Sequence, residues 1–129
     1  MTEANQLIKD LKMIEHPEGG YFVESYRNNF FSLIYYLLKK GQISHWHKLT
    51  KNETLHFYLG DPLILEISQD AKNIRSYKLG INNNFHKTIP SNSWFSMKSS
   101  GNFSLIGCTV APPFNYDDFK LAPKNWIPG

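Results

Sequence analysis

Three of the five histidines of this chain, and one carboxylate among them, fall in a single stretch bounded by Gly41 and Gly60. His45 and His47 are two apart, and alternate residues of a β-strand point to the same face. The spacing therefore places both imidazoles to converge on one metal ion or one ligand. Glu53 adds an oxygen ligand or a proton acceptor. Imidazole and carboxylate together suit zinc, iron, nickel, copper or manganese. His45, His47 and Glu53 are thus the candidate metal ligands, and a divalent metal is the cofactor left open. His56 lies three residues beyond Glu53. On a regular strand the two point to opposite faces, and they share a pocket only if a bulge intervenes or Glu53 belongs to the loop.

Short strands must position these groups. Ile43–His47 and Glu53–Leu59 flank a polar loop, Lys48–Asn52. Upstream, residues 2–13 read as a short helix, with Leu7, Ile8 and Leu11 on one face and Thr2 or Asn5 as its cap. Pro17 and the Gly19-Gly20 pair mark a turn that carries Glu18. Tyr21–Arg27 is the first strand, with Tyr21, Val23, Ser25 and Arg27 on one face and Phe22, Glu24 and Tyr26 on the other. Phe30–Leu38 and Phe103–Val110 are apolar nearly throughout and read as buried strands. Leu63–Ser68, Ile74–Leu79, Phe85–Ile89 and Trp94–Met97 complete the set. The tail from Phe114 carries Phe119, Leu121, Trp126 and Ile127 and is expected to pack down. About eight to ten short strands with turn signals roughly every ten residues predict an all-β sandwich or barrel.

The chain has 129 residues, which suits one domain over 1–129 with a core of its own. Its apolar fraction of 41% and aromatic fraction of 15% place it among globular, β-rich proteins. The net charge of +3 is mild and the lysines are scattered. Nothing in that pattern points to nucleic acid. Cys108, the only cysteine, cannot form an intrachain disulfide and reads as a small buried hydrophobe. No apolar run approaches the ~18 residues of a membrane span. The N-terminal segment is polar, so a cytoplasmic protein that meets no membrane is expected.

Several strings together carry a resemblance. They are the Gly, His-x-His, Glu and second Gly of residues 41–60, His16-Pro17-Glu18-Gly19-Gly20-Tyr21-Phe22, Ile89-Pro90-Ser91-Asn92-Ser93-Trp94, and Gly107-Cys108-Thr109-Val110-Ala111-Pro112. Over nearly its whole length the chain resembles the DUF985 (Cupin_5) subgroup of the cupin superfamily, a group of poorly defined activity. The resemblance implies a double-stranded β-helix, or jelly roll, with a short N-terminal helix. Metal-binding cupins take one more histidine from a second motif, and here that position holds Phe95. By analogy with cupin-fold sugar epimerases and isomerases, His47 is the candidate base, Glu53 or Glu18 its orienting acid, and Tyr58 or Tyr21 the acid opposite. Trp94 offers a face for stacking, and Arg27 a bidentate partner for phosphate or carboxylate. His56 completes a pocket around His47 and Glu53. The expected ligand is a small polar molecule, such as a sugar, sugar phosphate or nucleotide-linked sugar. The competing expectations are a non-catalytic binding module for the same ligands and a metal-dependent cupin enzyme. Exposed sheet edges in such a fold invite a homodimer.

Overall fold

The computed structural model describes residues 1–129. One helix, α1 (Glu3–Leu11), precedes eleven strands. These are β1 (Ile14–Glu15), β2 (Tyr21–Arg27), β3 (Ser32–Lys39), β4 (Ile43–Leu49), β5 (Asn52–Gly60) and β6 (Leu63–Ser68). β7 (Arg75–Leu79), β8 (His86–Ile89), β9 (Trp94–Ser99), β10 (Phe103–Ala111) and β11 (Phe119–Leu121) follow, with a 3-10 turn, Tyr116–Asp118, before the last. They form two antiparallel sheets, a six-stranded one ordered β1-β2-β3-β10-β5-β8 and a five-stranded one ordered β11-β4-β9-β6-β7. This is the expected all-β jelly roll with a short N-terminal helix. The two sheets face each other and do not close into a barrel, so the barrel form of that expectation is corrected to a sandwich.

Thr2 is the N-cap of α1, and its hydroxyl accepts from the Asn5 backbone N–H at 3.2 Å. The helix is too short to persist alone. It packs Leu7, Ile8 and Leu11 against Leu37, Phe103 and Leu105 on the outside of the larger sheet. β3 is therefore covered on both faces, as its continuous apolar run predicts: Leu37 lies under the helix while Tyr36 and Leu38 face inward. The inner core joins both sheets through Leu55, Phe57, Leu63, Leu65, Phe95, Met97 and Ile106. The tail packs down as expected, because β11 pairs with β4.

Two bulges decide which side chains turn inward. In β4, Ser44 pairs with Met97 and His47 with Phe95. Three steps on β4 thus span two on β9, and the extra residue reverses the alternation. Ser44 and His47 both face in, while His45 turns out. In β2, Glu24 pairs with Ile34 but Tyr26 with Leu33. Glu24 and Arg27 consequently share the inner side, although strict alternation puts them on opposite faces.

Candidate functional site

The turn between β1 and β2 is the first element of the site. Gly19 and Gly20 adopt φ of 111° and 76°, a region that side chains disfavour. A Cβ on Gly19 would collide with the backbone carbonyl of Ile43. Gly19 thus lets the turn press against β4, where the His45 N–H at the bulge donates to the Glu18 carbonyl at 2.8 Å, while Gly20 fits it against Tyr36 and Leu37 of β3. The result pushes the Glu18 side chain between the sheets, where the residue is only 8% exposed.

Glu18 meets two imidazoles there. Its Oε2 lies 3.1 Å from His47 Nε2 and its Oε1 lies 3.3 Å from His16 Nδ1. Ser44 Oγ also donates to Oε2. The proton positions follow from the remaining partners. His47 Nδ1 is 2.6 Å from the His45 carbonyl oxygen, so it carries the ring proton and Nε2 presents a lone pair. His16 Nδ1 accepts from the Glu18 backbone N–H at 3.1 Å, so it too presents a lone pair. A carboxyl facing two imidazole lone pairs must itself hold a proton, which we place on Oε2 toward His47. Burial drives the group the same way. It pushes Glu18 well above the usual carboxylate range, and holds His47 down to about 3 and His16 down to about 4. The couple is neutral because a buried ion pair would forfeit the hydration of both charges.

Glu53 approaches from the other sheet. It lies at the start of β5, opposite Val110 and Ile89. Burial pushes its carboxyl up to about 7, and a hydrogen bond from the Cys108 thiol partly opposes that rise. Cys108 is therefore more than a core filler: it lines the same cavity beside Glu53.

The cavity between the sheets measures about 410 Å³. That is within the range of small-molecule sites. Its floor is His16, Glu18, His47, Glu53 and Cys108, and its walls include Phe22, Ile34, Leu49 and Val110. Arg27, Glu24, Asn115 and Tyr116 stand at the mouth, where Phe114 and Phe119 add rings. A strap after β10 supplies the last four aromatic or polar groups of this rim. It is pinned by Lys51–Asp118 at 2.6 Å, Thr50–Asp118 at 2.8 Å and the Phe114 N–H on Ser32 Oγ at 2.8 Å.

The structure brings Glu18, Arg27, His47 and Glu53 into this cavity, and separates the remaining candidates from it. His45 turns outward at the bulge, and its Nε2 bonds the Pro123 carbonyl at 3.0 Å. It cannot join His47 and Glu53 on a metal ion, and no group of three or more His, Cys, Asp or Glu is placed to hold one. The metal set is corrected on that geometry. Phe95, at the position where the resemblance to metal-binding cupins would put one more histidine, holds its ring tilted at 4.0 Å from that of His47. His56 faces the outside of β5, bonded to Thr109 at 3.0 Å, because β5 runs regularly from Glu53 to His56. Tyr58 shares that outer face, lies over Gly107 and is 46% exposed, so it is no acid for the pocket. Tyr21 packs toward α1 beneath Lys39. Trp94 has its ring faces occupied by Trp126, with centroids 4.8 Å apart, and by the Lys48 ammonium at 4.9 Å.

Two assigned roles also change. His47 has no free ring nitrogen, so it holds Glu18 and is not a base toward a ligand. Arg27 has already given its Nε and Nη2 edge to Glu24, both at 2.9 Å, and Nη2 also reaches the Phe114 carbonyl at 2.8 Å. It can meet a ligand only through Nη1. Sequence reasoning gives no role to His16, Ser44 or the rim of the strap. The string His16-Pro17-Glu18-Gly19-Gly20 is the signal for the first of these, since its glycines place the turn.

The profile of Cupin_5, described as cupin superfamily (DUF985), matches residues 5–122. The chain belongs to this family. Among solved structures it is similar to a protein from Shewanella oneidensis, with 32% identity and a TM-score of 0.89 over 95% of this chain and 85% of that one. A hypothetical protein from Leishmania major is similar at 27% identity and a TM-score of 0.86, covering 94% and 88% of the two chains. Oxalate decarboxylase from Bacillus subtilis matches at 14% identity and a TM-score of 0.70, over 83% of this chain and 29% of that one, a likeness of fold alone. No curated protein matches the sequence. No helix of this cupin is long and apolar enough to cross a membrane.

Proposed function

We propose that this cupin is a proton-transfer enzyme of the epimerase or isomerase type, acting on a small polyhydroxylated carbonyl compound such as a sugar or sugar phosphate. The observation that carries the reading is Glu53, a carboxyl buried at the floor of an open cavity and pushed up to about 7. A general acid or base is most effective when its pKa lies near the working pH. Glu53 has the Cys108 thiol as its partner and keeps lone pairs for a ligand. The Glu18–His47 couple holds a proton on the same floor. The rings of Phe22, Phe114 and Phe119 suit the C–H faces of a sugar, and Arg27 Nη1 at the mouth suits a distal phosphate.

The test is proton exchange at carbon. Aldoses, ketoses and their phosphates are incubated with the protein in deuterated buffer and followed by NMR. Deuterium entering the carbon beside the carbonyl, and its loss in Glu53→Gln, is the expected result. Binding seen by thermal stabilisation, with no exchange for any bound compound, favours the non-catalytic binding module. We propose in addition that the free edges β7 and β8 support pairing into a homodimer; a monomer by light scattering at micromolar concentration would sink that part alone.

A further inference from the structure

The floor of the cavity holds one donor that the protein itself does not use. Because His16 Nδ1 accepts from the Glu18 backbone N–H, the ring proton sits on Nε2. Nε2 has no partner in the protein, yet no buried side-chain nitrogen or oxygen goes unpartnered, so it opens onto the cavity that His16 lines. The side chain is 6% exposed and firmly held. Phe22 meets it edge-on at 4.5 Å, with Tyr36 at 5.5 Å and Phe119 at 6.2 Å. The backbone amide thus fixes its tautomer, and the three rings fix its direction. Held down to about 4 by burial, the imidazole stays neutral at ordinary pH and is a donor of one proton only.

We propose that His16 is a catalytic residue of this site, donating Nε2–H to the carbonyl oxygen of an α-hydroxy carbonyl substrate as that oxygen gains charge. The proposal rests on the reading of Glu53 as base. The Glu53 carboxylate takes the proton from the carbon next to the carbonyl. The C–H electron pair becomes the new C=C bond, and the carbonyl π pair moves onto oxygen. His16 Nε2–H holds that oxygen as an enediolate while the carboxyl of Glu53 delivers its proton to the former carbonyl carbon. The C=C pair forms the new C–H bond, and the hydroxyl on the carbon first deprotonated passes its proton to the held oxygen and becomes the new carbonyl. A neutral imidazole suits the step because its acidity lies close to that of an enediol, and a preorganised donor costs no reorganisation.

Two measurements test this. The first is long-range ¹H–¹⁵N NMR of the wild-type imidazoles, alone and with glycolohydroxamate, a small enediolate mimic. His16 is expected as the Nε2–H tautomer and His47 as the Nδ1–H tautomer, and the mimic is expected to move the His16 Nε2–H resonance downfield. An Nδ1–H tautomer at His16, or an Nε2–H resonance that the mimic leaves in place, overturns the role whatever Glu53 does. The second is the exchange assay on two variants. His16→Ala should lower kcat for exchange by about 100-fold with little change in KM, the loss typical of one oxyanion donor. His16→Gln, which keeps an amide N–H in reach of the same space, should recover part of it. Equal losses in both variants, or losses confined to KM, overturn the role. A moved His16 resonance beside exchange that survives Glu53→Gln would sink only the base assignment and leave His16 standing.

Discussion

The inner and outer faces of β4 and β5, strands of different sheets, carry the same residue types and treat them differently. Inside lie His47 and Glu53, each less than a tenth exposed, with one driven down to about 3 and the other up to about 7. Outside lie His45, His56 and Tyr58, which bond neighbouring backbone or side chains or cover a glycine. Histidine and carboxylate are therefore no sign of a site by type. What matters is removal from water with a partner that fixes the proton. The inner groups are costly to bury and are held by few bonds, so every change there leaves something unsatisfied. The outer groups exchange one partner for water.

The contrast should break first at Glu18. Replacing it by alanine leaves His47 Nε2 and Ser44 Oγ without their partner and opens a void. We expect a loss of about 4 kcal/mol in urea unfolding. A loss no larger than that of an outer substitution would mean that the couple does not organise the floor.

Next is the pH dependence contributed by Glu53. Its folded pKa of about 7 stands above the ordinary 4.5, so the folded state binds the proton more tightly than the unfolded chain. Its contribution is complete below the unfolded value and disappears as pH rises through about 7. Glu53→Gln should therefore gain on the wild type by up to about 3 kcal/mol between acidic and mildly alkaline pH. His16 and His47, held low, have the opposite sign and favour the fold as pH rises toward their ordinary 6.5. The difference between variant and wild-type curves isolates Glu53. A flat difference would place its carboxyl in the ordinary range.

Metal content sharpens the contrast between His47 and His45. Protein purified without chelator or affinity tag, and its His47→Ala variant, should both lack near-stoichiometric metal by elemental analysis. Bound metal that His47→Ala removes would place a metal on the His47 floor and overturn the neutral Glu18–His47 couple. The smallest effects belong to the outer face. His56→Ala and Tyr58→Phe should each move stability by no more than about 0.5 kcal/mol and leave ligand-induced stabilisation unchanged. A larger response in ligand binding would show that the outer face reaches the cavity.

The helix and the strands β2 to β10 are legible in the sequence, because alternating and continuous apolar runs are local signals. The limits of Tyr21–Arg27 and Leu63–Ser68 agree to the residue, and those of the others to within one or two residues at each end. The short β1 and β11 carry too few residues to show a period. Glu53 and His47 are legible as pocket residues from their strings. The opposite orientation of His56 follows from parity along a regular strand. Local pattern misleads at the pairing of His45 with His47. Strict alternation says that they share a face, and the register shift against β9 cancels it.

The chain by itself determined an all-β fold, its family, and the residues available for chemistry, since these depend on composition, periodicity and strings along one strand. Tertiary structure alone decided which of them meet. Bulges in β2 and β4 answer to the neighbouring strand and to the Gly19-Gly20 turn pressed against it. The protonation of Glu18 answers to two imidazoles brought from different elements. Facing, burial and proton position are properties of neighbours in space, and no spacing along the sequence encodes them.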